Sequence, residues 1–201
     1  VVQTWMYHAD LLGGIIAWLA GVKRIFWGVH HSDLIKGESK KSTIVIARIN
    51  SVLSNFIPEK IVYCAEKARI VHENLGFKTF KSVVIANGYD IDVFKPNEIS
   101  RLDFRNELGV NSTDFLIGNV GRFHPLKDYK TLISSVGSFV STRDEVIVSL
   151  VGTELNNDNQ WLVSNLRDSN CYERTMLLGR RDDIPSVMNG FDVFILSSSS
   201  E

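Results

Sequence analysis

Short runs of β-branched and aromatic residues recur along the chain with little polar interruption. They are Arg24-Ile25-Phe26-Trp27-Gly28-Val29, Lys60-Ile61-Val62-Tyr63-Cys64, Val83-Val84-Ile85-Ala86, Phe115-Leu116-Ile117-Gly118-Asn119-Val120, Val146-Ile147-Val148-Ser149-Leu150-Val151 and Asp192-Val193-Phe194-Ile195-Leu196. Apolar runs of this length, bounded by turn residues, predict strands buried on both faces. Segments with the helical period lie between them. From Ser42 to Ile57, the residues Val45, Ile49, Val52, Leu53 and Phe56 fall on one stripe, which predicts an amphipathic helix stopped by Pro58. A second helix is predicted from an N-cap at Asp128 through Leu132, Ile133, Val136 and Phe139. Strands alternating with such helices give an α/β class whose parallel sheets are covered on both sides.

The alternation breaks once. Asn87-Gly88-Tyr89-Asp90 is a turn signal, Lys95-Pro96-Asn97 a second break, and a polar helix from Ser100 to Leu108 then leads through Gly109 to a new buried run. Two domains are expected, residues 1–97 and residues 98–201. The composition, 44% hydrophobic and 22% charged over 201 residues, is that of an ordinary globular chain and excludes disordered or collagenous readings. Cys64 and Cys171 match no metal-ligand or redox spacing and read as small buried hydrophobes. The longest uncharged apolar stretch, Leu11 to Val22, has 12 residues. That is short of the ~20 needed to cross a bilayer. No basic segment precedes it in the manner of a signal peptide, so a cytoplasmic chain is expected. Val1 in first place, and an end directly after an apolar run, lead us to expect a longer chain truncated at both ends.

Charge divides unevenly. Residues 1–97 hold 12 Lys/Arg against 8 Asp/Glu, and residues 98–201 hold 10 against 15. An excess of four is too weak for a nucleic-acid-binding stripe, but it suits an acidic membrane surface or a phosphorylated substrate.

In open parallel sheets, ligands bind beyond the carboxyl ends of the strands, where helix starts present backbone N–H groups. Three strand ends carry candidate chemistry. The first is Gly118-Asn119-Val120-Gly121-Arg122-Phe123-His124-Pro125-Leu126-Lys127-Asp128. Here a glycine allows close backbone approach, and a guanidinium fork and an ammonium stand before a helix, a set that can hold a diphosphate without metal. The spacing is neither a dinucleotide fingerprint nor a Walker A loop. The second is Trp27-Gly28-Val29-His30-His31-Ser32-Asp33. Adjacent histidines on a strand point to opposite faces, so one of them faces a crevice and the pair does not chelate a metal. The third is Met176-Leu177-Leu178-Gly179-Arg180-Arg181-Asp182-Asp183-Ile184-Pro185, where Asp183 is placed to cap a helix that has Pro185 in its first turn.

Ile85-Ala86-Asn87-Gly88-Tyr89-Asp90 with Phe94, then Gly121-Arg122-Phe123 with Lys127, then Leu178-Gly179 with Asp183, then Phe191-Asp192-Val193-Phe194-Ile195-Leu196-Ser197 with Glu201, stand in an order that resembles the GT-B retaining glycosyltransferases of family 4. The resemblance implies two Rossmann-like lobes about a cleft, the first on the acceptor side and the second holding a nucleotide-sugar donor. It implies that Arg122, Lys127 and Gly121 contact the donor diphosphate, that Glu201 is the first glutamate of an EX7E motif, and that His30 lies near the transferred sugar. Gly179 and Arg180 would form a base-side loop, and the stretch Gln3 to Gly14, with Trp5 and His8, would line the acceptor side. The implied reaction transfers a sugar from a nucleoside diphosphate sugar to an acceptor hydroxyl with retention, in polysaccharide or glycolipid synthesis. No cofactor and no metal are expected. The expected partners are the nucleotide sugar and a saccharide or lipid-linked acceptor, with a peripheral position at the inner face of the cell membrane. A nucleotide-sugar 2-epimerase of the same fold and a non-catalytic nucleotide-sugar-binding protein are the alternative readings. One departure stands out: the family commonly has Lys-Gly where this chain has Lys127-Asp128.

Overall fold

A computed structural model describes residues 1–30 and 40–199. They form two compact units, one running to Gly88 and the other starting at Tyr89. The first contains β1 (Val2–Trp5), α1 (Tyr7–Leu19), β2 (Ile25–Val29), α2 (Lys41–Leu53), β3 (Lys60–Tyr63), α3 (Glu66–Leu75) and β4 (Ser82–Val84). All its strands are parallel, in the order β1-β2-β3-β4. Each crossover steps the same way, and a right-handed crossover then puts every helix on the same face.

Alternate strand residues explain the core. Ile25, Trp27, Val29, Ile61 and Tyr63 meet Tyr7, Ala17, Ala47, Ala68 and Phe77 on the helix-covered side. On the other side Gln3, Trp5, Phe26, Val62, Val83 and Ile85 line an open hollow of about 640 Å³. The apolar runs predict cover on both faces, whereas the described residues of this unit cover only one.

The helix predicted from Ser42 to Ile57 is present but turned around. α2 buries Ala47, Asn50 and Ser51 and exposes Val45, Ile49 and Val52, with Ser54 buried and Phe56 exposed just past it; of the predicted stripe Leu53 alone packs against the core. Asn50 faces inward because its Nδ2 donates to the Tyr7 carbonyl at 2.9 Å. The helix ends at Leu53, before Pro58, where Ser54 Oγ donates to Ser51 O and Asn55 Nδ2 to Val52 O in competition with the helical ladder.

Polar groups lie deep in this unit. His72 Nδ1 sits 2.6 Å from the Ala68 carbonyl, which can only accept, so Nε2 is left to accept from the Tyr7 hydroxyl at 2.5 Å. Asp10, 1% exposed, accepts from the Thr4 hydroxyl at 2.5 Å through Oδ1, and its Oδ2 has no partner among the described residues. Burial pushes its carboxyl up to about 7, against the opposing bonds from Thr4 and the Gly28 amide.

The second unit contains α4 (Glu98–Glu107), β5 (Phe115–Val120), α5 (Tyr129–Val140), β6 (Val146–Val151), α6 (Gln160–Asp168), β7 (Thr175–Gly179), α7 (Ile184–Gly190) and β8 (Val193–Phe194). Its strands are parallel in the order β7-β6-β5-β8. Both faces are covered. Leu132, Ile133, Val136, Val140, Leu162 and Leu166 pack with Val146, Val148 and Leu150 on one side, and Phe104, Val187 and Phe191 pack with Leu116 and Val151 on the other. Phe139, expected on the inner stripe of α5, lies outside under the Arg143 guanidinium, and Val140 takes the inner place.

Asp192 ties the sheet edge down. Its carboxylate accepts from Leu116 N–H at 2.7 Å, from Arg105 at 3.0 Å and from Arg101. Burial raises its pKa, but the amide and the two guanidinium bonds outweigh that and leave it below the usual range. The expected domain boundary after residue 97 falls nine residues past the Gly88/Tyr89 division. Lys95 and Asn97 belong with the second unit because the Asn189 side chain on α7 bonds Lys95 O and Asn97 N–H. Asp183 occupies the N-cap position of α7 without a side-chain cap; its carboxylate is drawn to Arg181 at 2.8 and 2.7 Å instead. Cys171 is fully buried, and Cys64 is half-buried with its thiol donating to the His30 carbonyl. Among the described residues, no helix is long and apolar enough to cross a membrane.

The state of Asp10 makes a pH prediction. The folded carboxyl holds its proton to about 7 and the unfolded one releases it near 4, so this contribution to stability is present at low pH and is lost as pH rises through that window. The size is on the order of a few kcal/mol. Asp10→Asn should flatten the fall in melting temperature between pH 4 and 7, read by thermal unfolding; an unchanged slope would count against the buried carboxyl.

Candidate functional site

The order of the second sheet reverses between β5 and β8, and ligand crevices of open α/β sheets lie at the carboxyl ends of strands at such a switch. The loop Gly121–Asp128 leaves β5 at this place. Three neighbouring strand ends here are joined through their backbones. Gly121 N–H bonds Val151 O, Phe123 N–H bonds Thr153 O, Gly152 N–H bonds Gly179 O, and Gly179 N–H bonds Leu155 O, all between 2.7 and 2.9 Å. Gly152, at φ 147, lies so close to Gly121 that a Cβ there would overlap the Gly121 carbonyl oxygen. The result is a floor of main chain with glycines where side chains would otherwise stand.

From this floor the backbone rises toward α5. The amides of Arg122 and His124, either side of Phe123, have no acceptor among the described residues. Arg122 is exposed and forms no ion pair with a described carboxylate. Lys127 closes a 3-10 turn, Pro125–Lys127, and its carbonyl accepts from Ser197 Oγ at 2.6 Å. Ser199 N–H also bonds Leu126 O, so the segment after β8 runs along the loop and holds it. Beneath the loop Tyr129 OH donates to Asn119 Oδ1 at 3.1 Å, with the Gly121 carbonyl at 3.3 Å, and Asn119 Nδ2 donates to Ile195 O. Burial pushes the Tyr129 hydroxyl up to about 12.

The geometry also explains the Lys127-Asp128 departure. Asp128 has φ 45, in the left-handed region that glycine enters without strain. Asp is tolerated because its carboxylate caps α5 on the Thr131 amide at 3.2 Å, and hydrogen bonds from the Thr131 side chain and amide hold it below its usual range. The helix start is thus already answered by a carboxylate, and the attraction for an anion rests on Arg122, Lys127 and the open amides.

The other residues singled out from the sequence fall into three groups. Gly179, at φ 65, joins the floor, while Arg180 extends from it, exposed, with Asp182 at 3.4 Å. In the first unit the Trp5 and His30 rings pack with centroids 4.8 Å apart at a tilt of 51°, and they line the hollow with Cys64, Asn87 and Gly88. His8 is exposed on the first turn of α1 and is not part of that lining. Glu201 and the segment from His31 to Asp33 lie outside the described residues. Among the described residues no group of three or more His, Cys, Asp or Glu is placed to hold a metal. Gly152, Asn119 and Tyr129 were not anticipated. The available signal was a repeated apolar-Gly pair ending three strands: Val120-Gly121, Val151-Gly152 and Leu178-Gly179.

Residues 100–201, which contain this loop and floor, match the family described as Glycosyl transferases group 1. The chain belongs to that family. Its α/β architecture of two Rossmann-like units is the GT-B class. It is 29% identical over 202 residues to the UDP-Gal:alpha-D-GlcNAc-diphosphoundecaprenol alpha-1,3-galactosyltransferase of Escherichia coli, covering 98% of this chain and 51% of that protein. Its fold is similar to Anabaena Alr3699/HepE in complex with UDP, with TM-score 0.82 and 22% identity over 98% of this chain and 53% of that one. It is also similar to a glycosyltransferase from Rickettsia africae ESF-5, with TM-score 0.66 and 15% identity over 96% and 55%. The chain therefore spans about half the length of the relatives it matches.

Two variants test the local geometry. Gly152→Ala should destabilise the second unit by at least about 2 kcal/mol and speed hydrogen exchange at Phe123 N–H, whereas Gly88→Ala, with open space around it, should do neither. At Asp128, thermal unfolding should rank wild type above Gly and Gly above Ala, since Ala loses the cap and keeps the left-handed strain.

Proposed function

We propose that the protein is a retaining glycosyltransferase that moves a sugar from a uridine diphosphate sugar to an acceptor hydroxyl. The single observation that carries this reading is the loop at the β5 switch point, where two open amides and two cations rise from a glycine floor. The donor base is taken from the printed names of the Escherichia coli relative and the Anabaena structure. As the bond from the anomeric carbon to the diphosphate oxygen breaks, negative charge grows on the leaving group. Arg122, Lys127 and the amides of Arg122 and His124 stabilise it with dipoles and charges already in place, which lowers the barrier rather than tightening the ground state. No metal is assigned to this step. Gly179 and Arg180 face the base, His30 and Glu201 serve the transferred sugar, and Trp5 and His8 stand on the acceptor side, the first unit forming the acceptor lobe. The acceptor is a saccharide or lipid-linked saccharide, in keeping with the diphosphoundecaprenol in the relative's name. The place of action is the cytoplasm, peripheral to the membrane.

In the full-length protein Arg122→Ala should cut transfer by ~10²-fold while an excess of chelator leaves the wild type active. Unchanged turnover in the variant would remove the diphosphate site. Sugar isomerisation of the donor without any acceptor would instead favour the 2-epimerase reading.

A further inference from the structure

The loop that leaves β5 bends at Phe123, the residue between the two open amides, and the Phe123 ring touches two others. It stacks on Tyr129 with centroids 5.5 Å apart and planes 29° apart, and it meets Trp161 at 5.4 Å and 52°. Tyr129 is a fixed wall, buried in the second core with its hydroxyl on Asn119. Trp161 is the opposite case. It is the second residue of α6, whose inward face is Leu162, Val163 and Leu166, and it stays 44% exposed. An exposed apolar residue is ordinary in itself, but this one sets its ring against the hinge of the candidate site. The segment after β6 carries it there. Glu154, at φ 64, turns the backbone away from the glycine floor, Asn159 Nδ2 donates to the Glu154 carbonyl at 3.0 Å, and Asn159 Oδ1 accepts from the Leu162 amide at 3.1 Å to cap α6.

A hydrogen bond and a held ring fix different things. Phe123 N–H bonds Thr153 O at 2.9 Å, which holds the planar peptide on the amino side of Phe123 but leaves its Cα free to turn about the N–Cα bond. The ring stops that turn, because Cβ and the carbonyl carbon share one tetrahedral centre. The direction in which the chain leaves toward His124, and with it the aim of the His124 amide, then depends on where the ring sits. On the other side Gly121 has no Cβ and supplies no such restraint. Arg122, exposed and without an ion pair to a described carboxylate, supplies none either. Aim matters here as much as presence, since a dipole that must reorganise as charge develops stabilises that charge less than one already in place.

We infer that Trp161 is a positioning residue of the donor site: by holding the Phe123 ring together with Tyr129, it aims the amides of Arg122 and His124 at the diphosphate. The inference rests on the transferase reading given above and adds to it a residue that acts through another. The test compares full-length wild type, Trp161→Ala and Trp161→Phe, with UDP as the binding probe. UDP release from UDP-galactose and from UDP-glucose is measured in the presence of GlcNAc-diphosphoundecaprenol. Trp161→Ala should lower kcat ~10-fold and change the donor KM less than ~3-fold, since the amides act where charge develops. Trp161→Phe keeps a ring against Phe123 and should restore most of the loss. UDP should also change the tryptophan emission of wild type more than that of Trp161→Phe, the difference being the signal of Trp161 itself. Melting temperatures should be alike in all three. Four results overturn the inference: wild-type kcat in Trp161→Ala, a loss confined to KM, an equal loss in both variants, or activity that falls only in step with the melting temperature. Should Trp161→Ala fail to fold, or neither sugar be turned over, the emission decides, and no difference on adding UDP overturns the inference. Wild type that binds UDP and transfers sugar alongside any of these results keeps the transferase reading, whereas wild type that does neither overturns both.

Discussion

Main chain bonded to main chain across three strand ends is the constraint on which the candidate site depends. Gly121 and Gly152 follow β5 and β6 directly, Gly179 ends β7, and the backbone bonds at these positions fix the height from which the Arg122 loop departs. Backbone groups held by a sheet do not reorganise when a charged ligand arrives, so their dipoles act at full strength. Tyr129 and Asn119 hold the loop from below, and Ser197 and Ser199 from the side. With its hydroxyl pushed to about 12, Tyr129 keeps its proton, and therefore its donor role, throughout the neutral range.

Much of the fold is legible in the chain because buried parallel strands leave uninterrupted apolar runs. The runs at residues 115–120 and 146–151 coincide with β5 and β6. β1 leaves no such mark, since Gln3 and Thr4 interrupt its four residues. The α2 stripe shows why periodicity has a limit: it gives the direction in which apolar residues gather, but not whether the sheet or the solvent lies there. The sheet side of α2 is close-packed, and Ala47 and Ser51 fit it where Ile49 and Val52 would not.

The site divides in the same way. Arg122 and Lys127 are visible as two cations on a strand-to-helix loop, chemistry that the residue types themselves announce. Gly152 is not, because its meaning lies in contact with a backbone thirty-one positions earlier in the chain. Asp128 is intermediate: its capping role is readable from its place before a helix, while the left-handed backbone that explains the departure from Lys-Gly needs coordinates.

The two cysteines give the molecule a practical asymmetry. Cys171 is sealed within the second core, with burial pushing its thiol up, so it offers little thiolate to any reagent. Cys64 is half-buried beside the His30 carbonyl at the rim of the first-unit hollow. A maleimide dye would therefore attach at one known position without engineering, and its emission would report directly on whatever enters the space beside Trp5 and His30.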